Sequence, residues 1–216
     1  ERFSAWETVA RKLAHEIKNP LTPIQLSIDR LRDKYSEKLK DEKNEFTKYL
    51  ETINRQIIDI KKLVDEFSGF ARMPSPILKK INISDVLKRS IEFYKMSNKN
   101  INLNLNYDFK KKYLINGDSE QLNRVFINLI KNSEEAFLDR MQKEPNFKGN
   151  IDIEIDDNND YIIIKIKDNG TGITDAKKAM TPYFTTKKTG TGLGLPIVTK
   201  IINEHTGNFS IKNRRD

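Results

Sequence analysis

The sequence predicts an α+β protein in two parts. An N-terminal antiparallel helical hairpin, doubled into a dimeric four-helix bundle, precedes an α/β two-layer sandwich. Three observations carry this. Apolar residues recur in 4-3 steps over 6–35 and again over 46–71. A proline-marked stretch, "MPSPI" (73–77), then ends the pattern. Beyond it, short alternating strands mix with helices without regular βαβ alternation.

The first helix reads on Trp6, Ala10, Leu13, Ile17, Leu21, Ile24, Ile28, Leu31 and Tyr35. An extra step of four around Ile17 is a stutter in the seam, where Pro20 and Pro23 interrupt. The second reads on Phe46, Leu50, Ile53, Ile57, Ile60, Val64, Phe67 and Ala71, unbroken. Between them "SEKLKDEKNE" is polar and can turn. A lone hairpin buries little, and pairing into a four-helix bundle is the remedy. The expected boundaries are 1–73 for the hairpin, 74–77 for a linker and 78–216 for the second domain.

In the second domain, "ILKKINIS", "INLNLNYD" and "YLIN" read as short strands. "GDSEQLNRVFINLIKNSEEAF" reads as a helix capped by Asp118 or Ser119, with Leu122, Val125, Phe126, Leu129 and Ile130 facing a core. "NIDIEID" and "DYIIIKIKD" form a hairpin across "DNN". A Gly- and Thr-rich loop leads to Gly194, then a helix "LPIVTKIINEH" and a strand "NFSIKN".

Composition narrows the function. Of 216 residues, 39 are Lys or Arg and 31 Asp or Glu, for a formal charge of +8. The two signs are interleaved, as in "KLKDEKNE", which argues against a nucleic-acid-binding face. There is no cysteine, which excludes disulfides, zinc-finger spacing and a thiol nucleophile. No apolar run approaches the ~18 residues of a membrane span. The chain opens inside a helical pattern with no cap, so it reads as part of a longer protein.

"HEIKNPLTP", 15–23, breaks local rules, since an interior proline costs a helix about 3 kcal/mol. His15 lies two residues from both Leu13 and Ile17, about 200° round the helix. It therefore points away from the seam, with Asn19 one turn on along the same face. A neutral imidazole is nucleophilic near pH 7, and the adjacent Glu16 can take its proton. A purely structural coiled coil would explain the heptads, and an incidental surface histidine would explain His15. Neither explains H-E-x-x-N-P as a unit.

Downstream, "DNGTGI" (168–173) ends a strand and "TGTGLGL" (189–195) opens a helix. Glycines let backbone N–H groups approach phosphate, and a helix N-terminus favours anions. There is no G-x-x-x-x-G-K-[ST], so this is no P-loop, and a lone G-x-G can be only a turn. Asn128 and Asn132 share a helical face at i, i+4. Such a pair is ordinarily solvated surface, but two amide oxygens can hold a hydrated Mg²⁺.

In order, N-x-x-x-N, D-x-G-x-G, "PYFTT" and G-T-G-L-G-L resemble the ATP-binding domain of sensor histidine kinases, within the group shared with gyrase-type and Hsp90-type ATPases. The N-terminal part resembles their dimerisation and phosphoacceptor domain, in "HEIKNPLTPIQLSIDRLRDKY" that of NtrY-type nitrogen-regulation kinases. The resemblance implies an ATP-dependent protein-histidine kinase of a two-component system. His15 matches the phosphorylated histidine, Glu16 its acidic neighbour, and Asn19 the residue that positions water for dephosphorylating the partner. Asn128 and Asn132 match the N box around Mg²⁺, with Asn132 the direct ligand, and Glu135 an acidic group in the metal and water network. Asp168 matches the reader of the adenine amino group, with Gly170 and Gly172 below the base. Phe184 matches the mobile lid, with Lys187 and Lys188 reaching phosphates. Gly190, Gly192, Leu193 and Gly194 match the phosphate-side box. The implied cofactors are ATP and Mg²⁺. The implied partners are a second copy and an NtrX-like response regulator. The implied setting is the cytoplasmic side of an inner-membrane-anchored sensor. The family adds a further strand after "NFSIKN", which this sequence lacks. His205 reads as a capping residue of the last helix with no catalytic role.

Two other readings remain: an ATPase of the same fold that phosphorylates no histidine, or phosphorylates serine, and a basic nucleic-acid-binding coiled coil.

Overall fold

A computed structural model describes the chain except residues 1, 37, 40–42, 98–100, 143, 145, 159, 183, 186–189 and 214–216, and the side chains of 2–11, 96 and 97. The chain divides into two compact units. One comprises Glu1–Pro74 with Lys187–Leu193, the other Ser75–Thr186 with Gly194–Asp216.

The first unit is the hairpin. Helix α1 spans Arg2–Tyr35 and runs on through Pro20 and Pro23. Helix α2 spans Lys43–Ala71. Ala14, Leu21 and Ile28 of α1 are buried, as are Leu50, Ile57, Val64, Ser68 and Ala71 of α2. Leu21, Ile28, Leu50 and Ile57 form one cluster, with Phe46 against it. The expected seam is corrected on one point: Leu13, Ile17, Ile24 and Leu31, with Ile53 and Ile60, are exposed. Residues seven apart face the other helix of the hairpin. The intervening apolar positions lie on a second stripe that two helices are too few to cover.

The second unit holds strands β1 (Lys79–Asn82), β2 (Asn102–Asn106), β3 (Leu114–Gly117), β4 (Asn150–Asp157) and β5 (Ile162–Asp168). β1 and β3 pair antiparallel as a small sheet. The main sheet runs β2-β4-β5, with β2 parallel to β4 and β4 antiparallel to β5. Ile151, Ile153 and Ile155 alternate into the core from β4, as period 2 requires. Helices α3 (Ile83–Ser97), α4 (Ser119–Met141) and α6 (Gly194–Glu204) supply the helical layer, and α5 is the single turn Ala176–Ala179.

Two strand expectations need correction. "ILKKINIS" is strand only to Asn82, where α3 takes over. Val86, Leu87, Ile91 and Tyr94 are buried at helical spacing, and the Asn82 Oδ1 accepts both the Ser84 hydroxyl and the Tyr113 N–H. "NFSIKN" forms no strand among the described residues. Asn213 instead grips residue 173 through its side chain, its Oδ1 accepting the Ile173 N–H and its Nδ2 donating to the Ile173 carbonyl, both at 2.8 Å. A strand needs a ladder to satisfy its backbone, and here a side-chain amide makes the tie.

Candidate functional site

Helix α4 organises the site in the second unit. Asp118 caps it, Oδ1 accepting the N–H groups of Glu120 and Gln121 at 3.0 and 3.2 Å. Burial pushes the Asp118 carboxyl up. The N–H groups of Ile77, Gln121 and Glu120 outweigh it and hold the carboxyl below its usual value.

Three turns on, Asn128 and Asn132 stand on one face. The Asn128 Nδ2 donates to the Arg124 carbonyl at 2.8 Å, which leaves Oδ1 facing α6. A Cβ placed on Gly194 would lie 3.3 Å from that Oδ1 and 3.6 Å from Oδ1 of Asn132. The glycine thus brings the α6 N-terminus against both amides. The Asn132 Nδ2 is buried without a hydrogen-bond partner among the described residues. A buried, unsatisfied amide costs free energy, and its position suits a site that takes a polar ligand. Glu135 is half-buried one turn further on.

Next to Asn132 on α4, the Ser133 hydroxyl donates to Oδ2 of Asp168 at 3.2 Å. Oδ1 of Asp168 accepts the Gly170 N–H at 2.9 Å. A Cβ on Gly170 would stand 2.6 Å from the Cβ of Ala136, so this glycine permits close approach to α4. Gly172 has φ +72°, the left-handed region that favours glycine. Asn169, between Asp168 and Gly170, clips the β5 end to β4: its Oδ1 accepts the Asn150 N–H at 2.8 Å, and its Nδ2 donates to the Lys148 carbonyl at 3.0 Å. Arg140 donates to the Asn169 carbonyl at 2.7 Å.

The structure therefore brings together Asn128, Asn132, Asp168, Gly170 and Gly194 along α4. Ser133, Ala136, Asn169 and Arg140 join them without having been expected from the sequence. Ser133 and Asn169 adjoin motif residues, and Ala136 lies one turn from Asn132, where only a small side chain admits Gly170. Gly190, Gly192 and Leu193 fall in the segment grouped with the hairpin. There Gly192 has φ +69°, Leu193 is buried, and the Thr191 hydroxyl donates to the Glu66 carboxylate. Phe184 is half-buried, its N–H on the Thr181 carbonyl at 3.2 Å. Lys187 and Lys188 lie outside the described residues. His205 caps the C-terminus of α6, its Nδ1 facing the Ile201 carbonyl, and its Nε2 also accepts the Asp118 N–H.

In the hairpin, Ala14 is buried and His15, Glu16 and Asn19 are exposed. Lys12 stands 4.0 Å from Glu16, and Lys18 pairs with Asp65. Pro20 and Pro23 lack the N–H groups that would bond the carbonyls of Glu16 and Asn19.

Among the described residues, no three His, Cys, Asp or Glu side chains group as a metal site. The Asn128 and Asn132 amides offer oxygen donors, which suit Mg²⁺ bound through few protein ligands together with phosphate.

Residues 5–76 match the His Kinase A (phospho-acceptor) domain model, and residues 117–216 the histidine kinase-, DNA gyrase B- and HSP90-like ATPase model. The chain is 42% identical over its whole length to a putative sensor histidine kinase, NtrY-like, of Rickettsia typhi, covering 35% of that protein. Over 99% of its length it is 35% identical to nitrogen regulation protein NtrY of Azorhizobium caulinodans, covering 28% of it. The chain thus spans about a third of the length of these curated relatives. Among solved structures, the catalytic domain of histidine kinase ThkA matches 64% of this chain and 88% of its own (TM-score 0.55, 27% identity). Histidine kinase ThkA in complex with response regulator protein TrrA shares the fold over 99% of this chain and 60% of its own (TM-score 0.66, 24% identity).

Proposed function

This chain belongs to the sensor histidine kinases, in their NtrY-like branch, and from that we infer that it transfers the γ-phosphoryl group of ATP to His15 and passes it on to an aspartate of a response regulator. The observation that carries this reading is the convergence of N-x-x-x-N, D-x-G and the first residue of α6 along one face of α4.

Asp168 reads the adenine amino group, one oxygen held by the Gly170 N–H and the other by Ser133. Gly170 and Gly172 floor the base. Gly190, Gly192, Leu193 and Gly194 approach the phosphates, and Phe184, Lys187 and Lys188 belong to the lid. Asn132 and Asn128, with Glu135 in the outer network, would hold Mg²⁺, which offsets phosphate charge. Phosphoryl transfer rests chiefly on positioning and charge neutralisation. A ring nitrogen of His15 forms the N–P bond as the bond from the γ-phosphorus to its bridging oxygen breaks and ADP leaves. Glu16 takes the ring proton. Asn19, on the same face, holds a water in line with a regulator's aspartyl phosphate for the phosphatase duty.

The exposed apolar stripe of Leu13, Ile17, Ile24, Leu31, Ile53 and Ile60 supports a homodimeric four-helix bundle. The resemblance to NtrY supports an NtrX-like regulator as partner. It also supports a membrane anchor elsewhere in the protein; no described helix here is long and apolar enough to cross a membrane. The expected division at 1–73, 74–77 and 78–216 is part of this reading.

The test is incubation with γ-labelled ATP and Mg²⁺. The label should enter the protein, resist base and be lost in acid. Label that survives acid would point to a hydroxyl acceptor and overturn the assignment.

A further inference from the structure

One carboxylate fixes where the connection between the two units ends. α2 stops at Ala71, the Arg72 N–H closes on the Ser68 carbonyl, and Met73 is buried. Pro74, Ser75 and Pro76 follow. Ile77 and Leu78 are 70% and 49% exposed, so side-chain packing holds this stretch weakly, and sheet pairing begins only at Lys79, opposite Gly117. The Ile77 N–H donates to Oδ2 of Asp118 at 2.9 Å. The other oxygen of that carboxylate caps α4. The Asp118 N–H in turn donates to Nε2 of His205 at 2.9 Å, and Nδ1 of His205 sits 2.8 Å from the Ile201 carbonyl. Nε2 thus accepts and Nδ1 is left to donate, so the ring ties the end of α6 to the same point.

We propose that Asp118 is a positioning residue for phosphoryl transfer: by clamping Ile77 it sets the length and direction of the connection between the phosphoacceptor hairpin and the ATP-binding unit. The proposal rests on the kinase reading above. Without the clamp, the next fixed point beyond Pro74 is β1, and the intervening segment grows from 75–76 to 75–78. Effective concentration falls roughly as the −3/2 power of tether length, about threefold for this change. Pro74 and Pro76 each fix φ, so the clamped segment also has a direction, which release would blur. Misplaced reacting groups then add to the loss.

Two substitutions separate the clamp from the cap. Asp118→Asn keeps a good N-cap but turns an amide Nδ2 towards the Ile77 N–H, donor to donor. Asp118→Ser also caps, and is too short to reach Ile77. In both, hydrogen exchange at the Ile77 amide should quicken while Glu120 and Gln121 stay protected. Calorimetry should show ATP affinity within about twofold of wild type. Single-turnover labelling of His15 at saturating ATP should fall about 2- to 10-fold. Faster Ile77 exchange with undiminished labelling overturns this proposal alone, as does unchanged Ile77 exchange. A parallel loss of ATP affinity also overturns it, since Asp118 would then act through α4. A wild-type chain that takes no label overturns this proposal and the kinase reading together.

Discussion

The Ser133 hydroxyl donates to Oδ2 of Asp168 at 3.2 Å, joining the middle of α4 to the end of β5. Oδ1 of the same carboxylate accepts the Gly170 N–H. Both oxygens are thus oriented by fixed donors before any nucleotide arrives. Asp168→Asn must turn an NH₂ towards one of those donors. We expect nucleotide affinity to fall at least about tenfold, or 1.4 kcal/mol. Ser133→Ala, which removes one hydrogen bond to that carboxylate but keeps the carboxylate itself, should weaken binding less. Calorimetry on both variants checks the ranking.

Three glycines of the site should fail differently. Gly170→Ala drives a methyl to 2.6 Å from Ala136, and overpacking of this kind costs about 1–3 kcal/mol. Gly172→Ala puts a side chain at φ +72° and 2.8 Å from Oδ1 of Asn213, with about 1–2 kcal/mol from the backbone alone. Both should lower the melting temperature. At Gly194 the added methyl meets only the tips of Asn128 and Asn132, at 3.3 Å and beyond. Gly194→Ala should therefore leave melting nearly unchanged and weaken nucleotide binding. Thermal denaturation with and without ATP reads the split.

The hairpin heptads were legible because seven-residue spacing survives whatever the stripe packs against. The assignment to partners was not, because one broad stripe serves two contacts. Leu21 and Ile28 face the hairpin's own core, while Ile17 and Ile24 remain outside it. Helix α3 was hidden because "ILKKINIS" alternates like a strand up to Asn82, and the helical spacing becomes visible only from Val86 on. The N-x-x-x-N, D-x-G and G-L-G-L signals were legible as local patterns. The close approach of Gly170 to Ala136 was not, since it depends on packing β5 against α4.

If the uncovered stripe is the dimer face, a charge within it must split the dimer. Ile24 and Ile53 are 44% and 46% exposed in the hairpin, so Ile24→Glu and Ile53→Lys should fold singly. They should sediment as monomers at concentrations where the wild type is dimeric. Their thermal unfolding should become independent of protein concentration. A dimer that survives both substitutions would place the interface elsewhere.

The Asp118 carboxyl also sets an acid limit. Its value is held below the ordinary one in the fold. Stability from this group is therefore fully present above the unfolded value, about 3.9, and is lost as pH falls through the lower folded value. The gap in melting temperature between wild type and Asp118→Asn should be constant above about pH 5 and narrow below pH 4. A gap that widens in acid would give the linkage the wrong sign.

On the proposed reading, Glu16 and Asn19 divide the two duties of the His15 face. Both are exposed beside His15, and each has its carbonyl released by a proline four residues on. In the forward reaction the ring must lose a proton as the N–P bond forms, and an adjacent carboxylate can accept it. Such assistance typically contributes 10²–10⁴-fold, so Glu16→Ala should lose most labelling. In dephosphorylation His15 need not be the nucleophile; a neutral amide can hold the attacking water instead. Asn19→Ala should therefore keep labelling and lose phosphatase activity. Lys12, 4.0 Å from Glu16, offers an internal control. An exposed i, i+4 pair contributes only about 0.3–0.5 kcal/mol, so Lys12→Ala should change neither assay by more than about threefold. The assays are label incorporation from ATP and decay of a purified phospho-regulator. Equal losses in both for Glu16→Ala and Asn19→Ala would mean that the helix itself had been disturbed, and the division of duties would fall.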